Sequence, residues 1–446
     1  MARQRREPET AIIDGVTHDG RGIAAVSGKK VFVAGALEGE EVRFIRRKRH
    51  RNFDEGELLE VLQPSAARIV PRCDAFGTCG GCSLQHLSGE DQREIKQKTL
   101  ADNFERIGHV TPDEWLQPLY NDSDEGSWHY RRRGRLAVKD VQAKGRVLVG
   151  FRERHAPYIT NMHRCEVLAH PLDSLIDPLS ELIGKLTIRA RLPQIEVAVA
   201  DNAVTLVFRV LDPPTDEDKA HLLEFGNTHS LRVLLQPGGL DSIEPLTGSA
   251  DGAPLNYRLD EFDVTIEFEG TDFIQVNGAV NERMVSRAIK LLQIGPEDRV
   301  LDLYCGIGNF SLPLARSCDY VLGIEGEQRQ VQRARDNAAK NGIENCEFLT
   351  ADLSKIDGSE SWLRQDWDRV LLDPARSGAA EIVRHMATIN PQRIVYISCH
   401  PGTLARDAGE LVQSAEFNLE AAGIIDMFPH TAHVESIAVF HKNQKK

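Results

Sequence analysis

No stretch of this 446-residue chain carries the roughly 18 consecutive apolar residues of a membrane span. Residues 1–10 are polar and basic, with no apolar core of a secretory leader. A cytoplasmic protein with no membrane partner is expected. Positive charge is also short: 54 Lys and Arg against 67 Asp and Glu give a formal net charge of −13. That balance excludes a chain coated in basic residues, so any nucleic-acid contact must come from local patches. No convincing repeat or low-complexity tract is present. Cysteine is limited to eight residues, expected as reduced thiols unless they bind metal or do chemistry. The length allows two or three domains, and the 41% hydrophobic fraction is that of a globular protein.

What is present centres on residues 301–310, Leu-Asp-Leu-Tyr-Cys-Gly-Ile-Gly-Asn-Phe. A short apolar run of buried-strand type is followed by glycines that let the backbone turn sharply into a helix. Residues 320–325 read as a second strand ending in Glu325, placed where a carboxylate can accept ribose hydroxyls. Gly306-x-Gly308 lacks the third glycine of a dinucleotide fingerprint, and no Gly-Lys-Ser/Thr follows to hold a triphosphate. S-adenosylmethionine is therefore favoured over NAD or ATP, although an ordinary strand-turn-helix corner would share the pattern. From Phe273 onward helices and apolar strands alternate, the signature of a doubly wound α/β (Rossmann-like) domain. A helix is expected at 280–292 and strands at 300–303, 321–325, 346–349, 369–372 and 394–398. Tyr304, Glu325, Asp352, Asp373 and Cys399 then fall at the carboxyl ends of strands, where ligands bind in such sheets.

Upstream, apolar or alternating runs at 10–16, 22–26, 30–33, 41–45 and 57–61 suggest a small β-barrel. Arg43, Arg46, Arg47, Lys48, Arg49 and Arg51 crowd together beside it, suiting either a polyanion or a solvated loop. Asp19-Gly20-Arg21-Gly22-Ile23-Ala24, Val31-Phe32-Val33 and Gly39-Glu40-Glu41-Val42 make this segment resemble a TRAM domain, an RNA-binding barrel. Next comes Cys73-x5-Cys79-Gly80-Gly81-Cys82, three thiols able to converge on one inorganic centre, with Cys165 as the candidate fourth ligand. Three clustered thiols and one distant one suit a 4Fe-4S cluster, with zinc as the alternative. A helix capped by Ser88, with Asp91 at the capping-box position, should run to 107. Between Trp128 and Arg154, nine arginines and lysines interleave with Trp128, His129, Tyr130 and Phe151. Such a mixture points to single-stranded or looped RNA, or to a strand with a solvated face. Because Cys165 follows directly, a cluster would staple this region to the 73–82 loop, a structural role rather than a redox one. Residues 166–265 suggest more sheet and a helix near 216–225, without a catalytic constellation.

Cys399 lies just past a buried strand, in Ser398-Cys399-His400-Pro401. Such a thiol can be a nucleophile if its proton is removed, or simply a packed cysteine. His400 is its sequence neighbour. Adding a thiolate to C6 of a pyrimidine makes C5 enolate-like and able to attack an activated methyl, after which the C5 proton must leave. Cys399, Glu435 and Asp373 can supply the nucleophile, the base and a contact to the base edge, although a salt bridge or cap is the commoner role for either acid.

In order along the chain stand Phe273-x-Gln275-Val276-Asn277, 302–310, Asp373-Pro374-Ala375-Arg376, Ser398-Cys399, Met427-Phe428-Pro429-His430-Thr431 and His433-Val434-Glu435-Ser436. With these motifs the chain resembles the bacterial RumA/RlmD-type 23S ribosomal RNA uracil-C5 methyltransferases over nearly its whole length. That resemblance implies a TRAM-like β-barrel at 1–62, a central α+β domain with the Fe-S cluster and basic surface at 63–265, and the methyltransferase domain at 266–446. It assigns Gln275, Tyr304, Asn309, Glu325 and Asp352 to S-adenosylmethionine and places Asp373 in the site. Cys399 becomes the nucleophile, Glu435 the base, and Cys73, Cys79, Cys82 and Cys165 the ligands of a 4Fe-4S cluster. The expected product is 5-methyluridine in a looped or single-stranded segment of 23S ribosomal RNA, made by a monomer. His400-Pro401-Gly402 departs from the family's Asn-Pro-Ala. Alternatives are a transfer-RNA uracil-C5 enzyme, which shares the catalytic half, and a non-catalytic Fe-S RNA-binding protein.

Overall fold

The computed structural model describes residues 7–443 apart from His18, Asp124 and 247–251. β1 (Glu9–Ile12), β2 (Gly15–Val16), β3 (Arg21–Val26), β4 (Lys29–Ala34), β5 (Glu41–Arg49) and β6 (Phe53–Gln63) pair in the order β1-β5-β6-β4-β3-β2. β1 and β2 occupy opposite edges of this sheet, yet only Ile13 and Asp14 separate them in the chain. The sheet therefore closes on itself. Ile13 N donates to Glu40 O at 2.9 Å and Asp14 N to Ile23 O at 2.8 Å across that seam. Alternate residues Val31, Val33, Val42 and Phe44 fill the interior. A Cβ at position 56 would lie 2.9 Å from the Phe44 ring, so β6 needs glycine there. The arginine-rich stretch is strand rather than loop, because β5 runs on to Arg49.

α1 (Gly89–Asn103) starts at Ser88, whose Oγ accepts from Asp91 N at 3.1 Å. It stops short of 107, giving way to one wide turn over Phe104–Gly108. β7 (Glu114–Trp115) follows. The central sheet contains β8 (Arg133–Val141), β9 (Arg146–Gly150), β10 (Gln194–Val199), β11 (Val204–Arg209), β12 (Leu231–Gln236) and β13 (Glu244–Pro245) in the order β13-β12-β11-β10-β8-β9. α2 (Ile176–Lys185) and α3 (Asp216–His229) accompany it, the latter opened by a capping box between Thr215 and Asp218. A separate hairpin, β14 (Leu255–Leu259) with β15 (Val264–Phe268), shares its apolar core with the C-terminal region.

The C-terminal region reads α4 (Gly278–Leu292), β16 (Arg299–Leu303), α5 (Ser311–Ala315), β17 (Tyr320–Glu325), α6 (Gln328–Lys340), β18 (Cys346–Thr350), β19 (Arg369–Leu372), α7 (Ala380–Arg384), α8 (Met386–Ile389), β20 (Arg393–Ser398), α9 (Pro401–Gln413), β21 (Phe417–Ile425) and β22 (Glu435–Lys442). Its strands run β18-β17-β16-β19-β20-β22-β21-β7. The five expected strands are the parallel half. The order reverses between β16 and β19, opening a crevice at their carboxyl ends. β22 enters antiparallel to β20, and β7 from the N-terminal half joins the far edge parallel to β21. Phe273–Asn277 contributes no strand: it is a loop in which the Asn277 side chain caps α4, accepting from Val280 N at 3.3 Å. Among the described residues, no helix is long and apolar enough to cross a membrane.

Candidate active site and four-thiol cavity

Antiparallel pairing matches Ile397 with Ile437 and Ser398 with Ser436. The next step of that register sets Cys399, one residue past β20, against Glu435, the first residue of β22. Ser436 Oγ donates to Ser398 O at 3.2 Å, locking the end of the ladder. Asp373 follows the adjacent strand β19, and its N–H donates to Leu303 O at 3.3 Å. Three residues distant in sequence thus meet at one sheet end. Cys399 is half-buried and Glu435 buried. Burial pushes the thiol up to about 11, the neighbouring Glu435 and Asp373 carboxylates add to this, and Arg376 opposes it. Burial likewise lifts Glu435 well above the ordinary carboxylate range, with Asp373 adding and Arg376 opposing. Asp373 itself is raised to about 7 by burial and then by Asp302. Burial thus disfavours the charged form of all three groups. Such carboxylates are suited to accept a proton as bonds change. His400 is occupied otherwise: it caps α9, its Nδ1 accepting from Thr403 N at 3.2 Å.

On the other side of the switch point, Tyr304 takes a left-handed conformation with φ of 68° and donates its N–H to Ile324 O at 2.8 Å. Gly306 and Gly308, at φ of 56° and 96°, complete a turn that L residues adopt at a cost. Glu325 Oε2 accepts from Gly306 N at 3.2 Å and Oε1 from Gly326 N at 2.7 Å, so this acid stitches the turn to β17. Asp352 is exposed beyond β18 and drawn down to about 2, chiefly by its hydrogen bond from Lys355. Gln275 is half-buried in the loop before α4, with no hydrogen-bond partner among the described residues. Asn309 differs from its neighbours in the turn. Its amide exchanges two 3.0 Å hydrogen bonds with Asn281, and its Oδ1 also accepts from Tyr257 OH at 2.9 Å. It anchors the turn to α4 and β14. Sequence reasoning passed over Asp302 as a site group. It is wholly buried, accepts from Ser311 Oγ, leaves Oδ1 unpaired and is raised to about 7 by burial. Its position in the first strand of the Gly-turn motif was the available signal.

Cys73, Cys79, Cys82 and Cys165 line one cavity of about 190 Å³, with Arg131, Phe151 and Met162 in its wall. Among the described residues, no three of these sulfurs lie within 4.8 Å of one another. A tetrahedral zinc would draw its sulfurs to about 3.8 Å apart, given Zn–S bonds of about 2.3 Å. Four thiols around one cavity suit a soft metal centre, whether zinc or an iron-sulfur cluster. Arg72 bridges Glu125 at 2.6 Å and Glu166 at 3.1 Å, while Arg164 pairs with Glu166 at 2.7 Å. These pairs tie the residues beside Cys73 and Cys165 together. His129, His170 and Asp173 also bring ligand atoms within 4.8 Å of one another. However, Arg72 approaches His129 at 3.4 Å and Arg164 approaches Asp173 at 3.7 Å. A cation would be repelled there, so this triad extends the ion-pair network.

The family model for tRNA (uracil-5-)-methyltransferase matches residues 256–443. A Stenotrophomonas maltophilia (strain K279a) protein named 23S rRNA (uracil(1939)-C(5))-methyltransferase RlmD is 48% identical, covering 99% of this chain and all of its own length. A protein of the same name from Alkalilimnicola ehrlichii is also 48% identical, over 99% of each chain. The chain belongs to the RlmD family. The crystal structure of Pyrococcus abyssi tRNA (uracil-54, C5)-methyltransferase with S-adenosyl-L-homocysteine superimposes with a TM-score of 0.75, covering 97% of this chain and 99% of that one. At 23% identity it shows the shared fold.

In this RlmD-family chain the basic residues divide sharply. Arg46 is turned inward, pairing with Glu9 at 2.8 Å and Asp54 at 2.5 Å, and so is a structural strut. Arg43 and Arg47 pair with Glu60 and Glu57. Lys48, Arg49 and Arg51 are exposed, without an ion pair among the described residues. The aromatic residues of the second basic region mostly face inward rather than offering stacking platforms. Trp128 stacks on His430 at 3.8 Å, and buried Tyr130 donates its hydroxyl to Pro429 O at 3.1 Å. A cavity of about 420 Å³ opens on Cys399 and is lined by Asp19, Gly80–Ser83, Asn103, Arg154, Arg376 and the 431–434 loop. Barrel, thiol loop and catalytic strand ends all reach it.

Proposed function

We infer that this chain methylates C5 of a uridine in 23S ribosomal RNA, and that the target is the uridine at 1939 named for its relatives. The observation that carries the reading is the β20–β22 register, which sets the Cys399 thiol against the Glu435 carboxyl at the mouth of a methyltransferase sheet. Cys399, its proton lost to solvent, adds through Sγ as the thiolate to C6 of the uracil, leaving C5 nucleophilic and the Glu435 carboxylate free for the later step. S-adenosylmethionine, when bound, supplies an electrophilic methyl carbon. The glycine turn, Tyr304, Glu325, Asp352 and Gln275 would hold it. Asp373 contacts the base edge between the two halves of the site. Glu435 then takes the C5 proton, and elimination returns the Cys399 thiolate and a 5-methyluridine. The high basicity given to Glu435 by burial suits this final step.

We propose further that Cys73, Cys79, Cys82 and Cys165 hold one structural 4Fe-4S cluster that closes the 73–82 loop onto the segment before Cys165. The shared cavity and the all-thiol donor set support this. The function is tested by incubating the protein with unmodified 23S RNA, transfer RNA and methyl-labelled S-adenosylmethionine, then mapping 5-methyluridine. Label confined to one 23S position is expected. Label only in transfer RNA would move the chain to the tRNA reading, and release of no tritium from 5-labelled uracil would remove the enzymatic one.

A further inference from the structure

Arg154 is the one cation of the Cys399 cavity that also grips the thiol loop. Its Nη2 donates to Cys82 O at 2.5 Å and its N–H to Thr78 O at 2.9 Å, while Gly80 N donates to Arg152 O at 2.8 Å. This short strip of pairing, with a bridge between Cys79 and Glu153, welds the arginine to the loop. Room is tight there, since a Cβ at position 80 would meet Arg152 O at 3.0 Å. Arg154 is half-buried. Among the described residues it has no ion pair. The acid sharing the cavity, Asp19, is held by Arg21 at 2.8 Å. A desolvated cation without a bonded carboxylate, facing a cavity that contains the nucleophile, is arranged to meet an anion brought from outside. The second guanidinium, Arg376, lines the same cavity.

We propose that Arg154 binds a backbone phosphate of the RNA next to the target nucleotide, so that the thiol loop, through the Cys82 carbonyl, sets the affinity of the catalytic cavity for its substrate. The inference rests on the RNA reading above. Arg154 is a positioning residue, since it fixes the strand while other groups touch the reacting base. An arginine suits the task because one edge of its planar fork can hold the carbonyl while another meets phosphate oxygens.

The test uses the full-length protein, a short 23S RNA fragment containing the target uridine, and S-adenosylhomocysteine. Arg154→Gln should weaken binding about tenfold and flatten the slope of log affinity against log salt by roughly one unit, with melting temperature and iron content unchanged. Arg154→Lys should recover most of the slope. As an arm independent of mutant folding, methylphosphonates are placed one at a time along the fragment. One position beside the target should cost wild type the same tenfold and cost Arg154→Gln nothing more. If no single neutral linkage lowers wild-type affinity, or if Arg154→Gln keeps affinity and slope while losing iron, the arginine is only a brace for the loop and the proposal is overturned. Failure of the RNA reading would look different, since wild-type protein would then not methylate the fragment at all.

Discussion

Cys399 meets Glu435 through strand pairing, whereas Cys73, Cys79, Cys82 and Cys165 meet through loops joined by partly exposed ion pairs and one short strip of backbone pairing. A ladder of backbone hydrogen bonds fixes its side chains without any ligand. Loops tied by partly exposed ion pairs gain much less from those pairs, each of which contributes about 1 kcal/mol or less. The catalytic pair should therefore be preorganised in the bare protein. The four thiols should depend on the centre they bind.

The largest expected effect breaks chemistry while leaving the fold intact. Cys399→Ala removes addition to C6, so neither methyl transfer nor a covalent RNA complex should form, and activity should fall to background. Glu435→Gln keeps the shape and the thiol but loses the base, so addition and methylation proceed while elimination stalls. A labelled, slow-migrating RNA-protein band on a denaturing gel should accumulate for this variant alone. The same band from Cys399→Ala, or normal turnover by Glu435→Gln, would overturn the assignment. Neither change should move the melting temperature far if the ladder does the positioning.

Cys165→Ser probes the other side of the comparison. Buried Cys165 is the thiol contributed from outside the 73–82 loop, so its loss should bleach the broad visible absorption of a brown protein and cost on the order of 3 kcal/mol of stability. Cys318→Ser is the control. That thiol is buried in the methyltransferase core, where its Sγ donates to Leu314 O at 3.2 Å, and its loss should leave the colour unchanged. Colourless protein containing stoichiometric zinc after anaerobic preparation would refute the cluster.

A smaller effect sharpens the electrostatics of the strand-end site. Arg376 is the cation opposing the upward push on Cys399, so Arg376→Gln removes stabilisation of the thiolate and must raise the thiol further. The pH profile of Cys399 alkylation, followed on its own peptide by mass spectrometry, should move to more alkaline pH by up to about one unit. A shift toward acid would mean that Arg376 does not face the sulfur.

The parallel strands were legible because each is a short apolar run ending in a polar residue or a glycine turn, and these ends carry most of the site. β21 and β22 were not. Their register depends on β22 pairing with both β20 and β21, and the alternation of 417–425 breaks at Ala421-Ala422-Gly423. Glu435 was proposed as the base from the chemistry and the motif resemblance, and its place opposite Cys399 came only with that register. Asn309 illustrates a different limit. A motif position marks a side chain as important, but does not show its neighbours in the fold, which here include Asn281 and Tyr257. The arginine stretch shows a related limit: charge density in sequence carries no information about which side of a strand each charge occupies.

That last point gives the smallest and most discriminating test. Arg46 and the group Lys48, Arg49 and Arg51 come from one basic run, but only the latter three are exposed and without an ion pair among the described residues. Replacing Lys48, Arg49 and Arg51 by alanine should weaken RNA binding across sequences and flatten the salt slope by roughly one unit for each phosphate no longer neutralised, with little change in stability. Arg46→Gln should do the reverse. Asp54 is buried and held down to about 2, first by its hydrogen bond from Lys29 at 2.6 Å and then by Arg46. A carboxylate depressed in the folded state contributes stability above its unfolded value near 3.8, and that contribution is lost as pH falls from about 4 toward 2. With Arg46 gone, Asp54 retains Lys29 but gives up part of this stabilisation, costing about 2 kcal/mol near neutral pH. The mutant and wild-type stability curves should converge as the pH drops through that window, while the salt slope of RNA binding stays that of wild type. An Arg46→Gln protein that melts normally but shows a flattened slope would return Arg46 to the RNA surface.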